Sequence, residues 1–198
     1  MIFDFIMDDP YLLLVNKEKK LGRLYVPRDL VYPVVLCDIM DDKKFLRKKA
    51  ARELEKMFFH AARDGIELVA VSGFRSYDRQ KEIYDTSIRK KGKEYTDKYI
   101  AKPGTSEHQT GLAMDISSSE INYELEEEFE NTKAGIWMRY NAWHFGYILR
   151  YPKGKSCITG YEYEPWHYRY VGKRTANLIH ENDITLEEFI KAFTLIKQ

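Results

Sequence analysis

The chain alternates between stretches whose apolar residues recur at helical spacing and stretches whose apolar residues run together or alternate with polar ones. The clearest helical stretch covers residues 45–63, and Gly65 follows it. Its apolar positions, three or four residues apart, are Leu46, Ala50, Leu54, Met57, Phe58 and Ala61. This spacing predicts an amphipathic helix that ends at the glycine. The apolar run over residues 66–71 predicts a buried strand directly after it.

Capping residues mark the other predicted helices. Thr185 and Glu188 have the spacing of a capping box, which predicts an amphipathic helix in a C-terminal tail, residues 173–198. Pro103 and Gly146 are predicted to end helices. The remaining predicted helices begin after Ser76, near Tyr95 and after Thr132.

Further strands are predicted from short apolar or alternating runs, at residues 11–15, 112–116, 147–151 and 166–171. In the last of these, strict alternation places His167, Arg169 and Val171 on one face and aromatic residues on the other. Three prolines interrupt residues 1–40, which are predicted to form an extended N-terminal arm. No repeat or linker-like segment divides the sequence, so residues 1–198 are predicted to form a single domain.

The amino-acid composition and net charge exclude some classes of function. The 198 residues are 44% hydrophobic and 32% charged, as in a soluble domain large enough to bury a core. A formal net charge of +1 argues against nucleic acid, which would require a concentrated basic surface. No stretch approaches the roughly 18 apolar residues of a membrane span, and no signal-peptide pattern is present, so the chain as written is expected to be cytoplasmic. Cys37 and Cys157 are expected to be free.

Two short stretches carry the candidate chemistry. One holds His108 and Asp115, and the other, later in the chain, holds Glu164 and His167. Two neutral imidazoles and one carboxylate, with an open fourth position, form the ligand set of a catalytic zinc site. A glutamate that is not a ligand can take a proton from water beside such a metal. The sequence therefore predicts one zinc ion per chain, held by His108, Asp115 and His167, with Glu164 as the base.

Other polar clusters are predicted to be structural. The acidic run over residues 124–130 is expected to be a solvated face or loop and not a metal site. His60, His144 and His180 have no partner motif, so we assign them to packing or to the surface.

Three motifs, in this order, resemble the VanY-type D-alanyl-D-alanine carboxypeptidases, a family that includes the related VanX dipeptidases and bifunctional VanXY enzymes. They are Gly73-Phe74-Arg75-Ser76-Tyr77, then Ser106, His108, Gly111, Ala113 and Asp115 at their spacing, then Glu164-Pro165-Trp166-His167. Sequence similarity outside these three motifs extends the resemblance from about residue 14 to residue 172. It implies an α+β fold with a central antiparallel sheet flanked by helices, as in D,D-peptidases and hedgehog signalling domains.

The resemblance also implies roles for individual residues. Arg75 would stabilise the oxyanion that forms when the peptide carbonyl is attacked. Ser106 and Gln80 would bind the substrate. The implied reaction is zinc-dependent hydrolysis of the terminal D-Ala-D-Ala amide bond in peptidoglycan precursors or stem peptides, with the free dipeptide as a further substrate.

Several alternatives stay open in the sequence. An L,D-carboxypeptidase acting on tetrapeptide stems would use the same catalytic set, and the loop that selects the substrate is expected within residues 117–133. A non-catalytic, zinc-containing peptidoglycan-binding module is the alternative to an enzyme, although the presence of both Glu164 and Arg75 favours the enzyme. Because many VanY-type enzymes are anchored outside the cell, an extracytoplasmic domain without its anchor is the alternative to a cytoplasmic protein. The oligomeric state stays open.

Overall fold

The computed structural model describes residues 9–38 and 44–195. The strands are β1 (Leu30–Val31), β2 (Leu46–Arg47), β3 (Val69–Ser72), β4 (Ala113–Ser117), β5 (Tyr147–Leu149) and β6 (His167–Tyr170). The α-helices are α1 (Lys48–Arg63), α2 (Tyr77–Lys91), α3 (Lys93–Tyr99), α4 (Lys133–Asn141), α5 (Ser156–Thr159), α6 (Lys173–Glu181) and α7 (Leu186–Leu195). Short 3-10 turns lie at Glu107–Thr110, Ser119–Ile121, Glu127–Asn131 and Ala142–Phe145.

The central sheet has the strand order β3–β4–β6–β5, and every neighbouring pair is antiparallel. Its inner strands, β4 and β6, are buried along their whole length. In this register Asp115 lies opposite His167 on one side and opposite Ser72 on the other. The α+β class with a central antiparallel sheet flanked by helices is thereby confirmed.

Helix α1 supplies much of the main core. Leu54 and Met57 are fully buried on its apolar face and share one hydrophobic cluster with Met114 of β4. Burying a side chain of this size contributes roughly 1.5–3 kcal/mol, so this face holds the helix to the sheet. The helix begins at Lys48 and not at residue 45, because the residues of β2 pair with β1 instead. It ends before Gly65, as predicted.

The capping residues predicted from the sequence act as caps. Ser76 Oγ accepts a hydrogen bond from the backbone N–H of Arg79 at 3.2 Å, at the start of α2, and Thr132 caps α4 in the same way. At the start of α7, both hydrogen bonds of the predicted capping box are formed. The Thr185 N–H donates to Glu188 Oε2 at 2.8 Å, and the Glu188 N–H donates to Thr185 Oγ1 at 3.2 Å. Each cap satisfies backbone donors that the first helical turn leaves unpaired.

Within residues 9–38, the described part of the N-terminal arm, there is little regular secondary structure, and the strand predicted at residues 11–15 is wrong. The carbonyl oxygens of Tyr11 and Leu13 accept hydrogen bonds from Arg169 Nη2, at 2.9 and 2.8 Å. A buried arginine therefore satisfies backbone groups that a neighbouring strand would otherwise pair. Residues 1–8, 39 and 40 of the predicted arm lie outside the described residues.

The C-terminal tail forms α6 and α7, as predicted, while residues 196–198 lie outside the described part of the chain. Leu186 and Phe189 of α7 are buried in a second hydrophobic cluster, together with Ile148 of β5. Of the helices described, none combines the length and the apolar character needed to cross a membrane.

Candidate active site

The sheet register and one turn bring the three predicted ligands together. Asp115 and His167 lie opposite each other on the two inner strands. His108 lies in the 3-10 turn Glu107–Thr110, which leads directly into β4. Gly111 lets the chain pass from the turn to the strand, because its φ of +65° lies in the left-handed region that glycine adopts without strain.

The three side chains are buried and converge on one space. His108 Nε2 lies 3.2 Å from Asp115 Oδ2, and His167 Nδ1 lies 2.9 Å from Asp115 Oδ1. One potential ligand atom of each residue lies within 4.8 Å of the others. The second nitrogen of each ring has its own partner: His108 Nδ1 lies 2.7 Å from Gly73 O, and His167 Nε2 lies 3.3 Å from Glu107 Oε2. This donor set fits zinc, whose histidine ligands are usually oriented by a hydrogen bond at the other nitrogen.

Glu164 reaches the same space through a tight turn. The His167 N–H donates to Glu164 O at 3.1 Å, so Pro165 and Trp166 are the central residues of a turn that precedes β6. Proline suits the first central position because its φ is already fixed at the value the turn needs. The turn places Glu164 Oε2 3.8 Å from His167 Nδ1.

The charge states of the site depend both on burial and on the contacts between its ionisable groups. Burial raises the pKa of Glu164 to about 7, although His167 opposes the shift. Burial also disfavours the anionic form of Asp115. The nearby His108 and His167 have the larger effect, and they hold the pKa of this carboxyl below its ordinary value. Burial lowers the pKa of His167, whereas its hydrogen bonds to Asp115 and Glu107 raise it, with a net result of about 9. Asp115 is therefore anionic, and Glu164 changes its protonation state near neutral pH.

Arg75 faces the ligand group from the turn between β3 and α2. Its Nη2 lies 4.0 Å from Asp115 Oδ2 and donates to Ser72 Oγ at 2.9 Å, while its Nη1 donates to Gln80 Oε1 at 3.0 Å. Gln80 is buried, and its Nε2 donates to Ala101 O at 2.7 Å. The glutamine thus holds the arginine in place, a contact that the sequence did not predict.

A cleft opens onto these residues. Ser106 and Gln80 line it beside the ligand group. Leu125 reaches it from the loop predicted to select the substrate, residues 117–133. The aromatic residues that line it are Tyr99, Tyr151, Tyr161 and Trp166. The lining therefore combines acid–base groups with aromatic surface.

A buried ion network next to the ligands was not predicted. Glu107 Oε1 accepts hydrogen bonds from Arg150 Nε and Arg169 Nη1, each at 2.6 Å, and all three side chains are fully buried. Arg150 also donates to both carboxylate oxygens of Glu187 in α7, at 2.8 and 2.5 Å. Burial raises the pKa of Glu107, but the charges of Arg150 and Arg169 outweigh it and hold the pKa below its ordinary value. Two positive and two negative side chains thus compensate one another inside the protein.

The histidines assigned to packing do pack against aromatic rings. His144 and His180 both stack on Trp143, with ring centroids 3.5 and 4.7 Å apart. His60 lies 5.3 Å from the ring of Phe145. None of the three belongs to the buried group of potential ligands found among the described residues.

The acidic run and the cysteines also agree with their predictions. Residues 124–130 are mostly exposed, and Glu130 pairs with Lys153 at 2.9 Å. Cys37 and Cys157 are free, the first half-buried and the second exposed.

Comparison with known proteins identifies the family. The VanY family profile, described as D-alanyl-D-alanine carboxypeptidase, matches residues 43–173. The chain belongs to this family. A VanY relative in Bacillus subtilis (strain 168), the putative carboxypeptidase YodJ, is 52% identical over 182 residues, which are 91% of this chain and 67% of the relative. The chain thus spans about two thirds of the length of that protein.

Solved structures agree with the VanY assignment. The LdcB LD-carboxypeptidase, whose structure is described as revealing the molecular basis of peptidoglycan recognition, has a TM-score of 0.87 and 50% sequence identity, covering 93% of this chain and 88% of LdcB. A mutant of the vancomycin resistance D,D-pentapeptidase VanY, in complex with Zn(II), has a TM-score of 0.76 and 32% identity, covering 92% and 99%. The metal in that structure is compatible with the buried His108, Asp115 and His167 group.

Proposed function

We propose that the protein is a zinc-dependent carboxypeptidase that removes the C-terminal D-alanine of peptidoglycan stem peptides. The observation that carries this proposal is the convergence of His108, Asp115 and His167 in one buried group with Glu164 at its edge. A zinc ion held by these three residues would polarise the scissile carbonyl and activate water. Membership of the VanY family and the Zn(II) in the related VanY structure support the assignment.

Glu164 is assigned the proton transfers. Its side chain is 23% exposed, so water can reach it, and Oε2 lies 3.8 Å from His167 Nδ1. A pKa of about 7 suits a group that accepts a proton from the attacking water and returns it to the leaving amine at neutral pH.

Arg75 is assigned the stabilisation of the oxyanion. Its guanidinium lines the cleft, and Ser72 and Gln80 hold it from two sides. A donor that is already in place does not have to reorganise when negative charge develops on the carbonyl oxygen. Ser106 and Gln80, which border the same cleft, are proposed to contact the substrate.

Two bonds are candidates for cleavage. The sequence predicts the D,D bond, which joins the last two D-alanines of a pentapeptide stem or of the free dipeptide. The 50% identity to the LdcB LD-carboxypeptidase, against 32% to the VanY D,D-pentapeptidase, favours instead the L,D bond that precedes the D-alanine of a tetrapeptide stem. The L,D reaction is therefore the specific activity that we propose, and the D,D reaction is the second candidate.

Product analysis tests this choice. The zinc-loaded protein is incubated separately with tetrapeptide, pentapeptide and D-Ala-D-Ala, and released D-alanine is quantified by mass spectrometry. We expect the fastest release from the tetrapeptide. Faster release from the pentapeptide would show that the D,D reaction, and not the L,D reaction, is the main activity. Release from none of the three, with the protein folded and zinc bound, would favour the binding module.

Glu164→Gln separates an enzyme from a binding module. Glutamine keeps the size of the side chain but cannot accept the proton, so turnover should fall by about 10²–10⁴ while substrate affinity and zinc content stay near wild type. Glu162→Gln is the matched control, because Glu162 is exposed and pairs with Lys98. Unchanged turnover in Glu164→Gln would show that another group activates the water.

A further inference from the structure

The buried network of Glu107, Arg150, Arg169 and Glu187 has no part in the reaction proposed above, yet it touches a ligand. Glu107 Oε1 accepts hydrogen bonds from both arginines, while Glu107 Oε2 faces His167 Nε2 at 3.3 Å. The two carboxylate oxygens therefore have separate partners. One is occupied by guanidinium groups, and the other is directed at the histidine.

The two histidines present opposite ring nitrogens to the ligand group. His108 Nδ1 lies against Gly73 O, so Nε2 faces Asp115. In His167 the arrangement is reversed, with Nε2 facing Glu107 and Nδ1 facing Asp115. A ring nitrogen binds a metal only when it carries no proton, and the hydrogen bond at the other nitrogen decides where the proton stays. The group that faces this other nitrogen is a backbone carbonyl in His108 and a side-chain carboxylate in His167.

We propose that Glu107 is a positioning residue of the metal site, which accepts the Nε2 proton of His167 and thereby reserves Nδ1 for the metal. Arg150 and Arg169 fix the orientation of Glu107, because a guanidinium can only donate hydrogen bonds and both arginines donate to the same oxygen. The inference rests on the metal site of the proposed function and assigns it a residue outside the ligand set.

A purely structural network is the competing explanation. In that case, removing any charged member should reduce stability, and zinc affinity should change only as far as folding does. A positioning role predicts instead that Glu107 has a separate effect on the metal. Glu187 is the matched control, because it binds Arg150 in the same network and has no contact with His167 among its hydrogen bonds.

Glu107→Gln is the decisive substitution. The amide oxygen must stay between the two arginines, which have no acceptor, so the amide nitrogen takes the place of Oε2. That nitrogen donates to His167 Nε2 and leaves the ring proton on Nδ1, where it competes with the metal. We expect zinc affinity, measured by competition with a chelator, to fall tenfold to about a hundredfold. Glu187→Gln should keep zinc affinity near wild type, whatever its effect on the unfolding midpoint measured on the same samples.

A second measurement needs no variant and stays decisive if Glu107→Gln does not fold. In ¹⁵N NMR spectra of the zinc-loaded wild type, His167 should be protonated at Nε2 and metal-bound at Nδ1, and His108 should show the reverse. Binding of zinc by His167 Nε2 would overturn the inference, and so would equal losses of affinity in Glu107→Gln and Glu187→Gln. A wild type that binds no zinc would refute the proposed function itself, whereas tight binding by both wild type and Glu107→Gln would refute only the positioning role.

Discussion

Two glutamates beside the group of potential ligands, one buried and one partly exposed, have their pKa values shifted in opposite directions by their surroundings. Glu107 lies between two guanidinium groups that hold its pKa low. Glu164 is partly buried, which raises its pKa, and the nearby Asp115 adds to this effect, so its pKa rises to about 7. One carboxylate is therefore a permanent anion suited to orienting a ligand, and the other can exchange protons at neutral pH.

Arg75→Ala should lower kcat and kcat/KM by similar factors of about 10²–10³, because a donor that acts on the developing oxyanion contributes mainly in the transition state. Arg75→Lys should recover part of the loss, since a point charge cannot reproduce the guanidinium fork. Arg79→Ala is the control, because Arg79 lies on the exposed side of α2 and pairs with Glu82. Steady-state kinetics with zinc content measured in parallel provide the test. A raised KM with unchanged kcat would assign Arg75 to ground-state binding instead.

Glu164→Gln should stabilise the metal-free protein at alkaline pH. A carboxyl whose pKa rises from 4.5 to about 7 on folding takes up a proton, so wild-type stability decreases as pH rises through this interval. Glutamine does not ionise, so the variant does not lose stability in this way. Its free energy of unfolding should exceed that of wild type by up to about 3 kcal/mol near pH 8 and by almost nothing near pH 4. Urea unfolding of both proteins, stripped of metal, measures the difference. The same gain at both pH values would exclude the carboxylate as its cause.

The grouping of His108, Asp115 and His167 could be predicted at this scale because these residues stand in short motifs at fixed spacing. The network behind them was not, because its partners are distant in the sequence and buried arginines are rare. Two signals pointed to it nonetheless. Glu107 directly precedes a predicted ligand, and strand alternation placed Arg169 on the same face as His167, where it is indeed buried.

At the scale of elements, hydrophobic periodicity and capping residues predicted most helices and the inner strands to within a few residues, but not the short helix α5. The failures have local causes. The apolar residues 11–15 looked like a strand, but a side chain, not a neighbouring strand, pairs with their backbone. The helix predicted to reach Gly146 is divided into α4 and the 3-10 turn Ala142–Phe145, a change of hydrogen-bond pattern that apolar spacing does not reveal.

Gly111→Ala should destabilise the protein by about 1–3 kcal/mol and lower its zinc affinity, because the turn that carries His108 depends on it. The added Cβ would meet Leu30 Cδ2 at 2.8 Å, in addition to the strain of a positive φ. Small size is therefore needed at this position because the N-terminal arm packs against it.

Gly154→Ala separates the two contributions to that loss. Gly154 has a φ of +78°, but nothing lies within 4 Å of its added Cβ. It should therefore show the backbone strain alone, with zinc affinity unchanged. Chemical denaturation and zinc titration of both variants give the comparison, and equal losses would mean that crowding by Leu30 is unimportant.

At the scale of the whole molecule, zinc should stabilise the fold, because a ligand group assembled from a turn and two strands exists only in the folded state. Zinc at about a hundred times its dissociation constant should add about 2.7 kcal/mol to the free energy of unfolding. Differential scanning calorimetry with zinc and with a chelator should show the shift in wild type and not in His108→Ala. His60→Ala, which changes a histidine that packs on Phe145, should keep it. A similar shift in His108→Ala would place the metal elsewhere.

The buried arginines also join parts of the chain that are made at different times. Arg169 binds the backbone of the N-terminal arm, Arg150 binds Glu187, and Asn16 donates to Glu187 at 3.3 Å across 171 positions. Contacts of such separation form late, because loop-closure entropy opposes them until the rest of the fold is in place. On the ribosome, His108, Asp115 and His167 all emerge before Glu187 does. A nascent chain therefore contains the whole group of potential ligands before Arg150 can pair with Glu187 and before Asn16 can reach it.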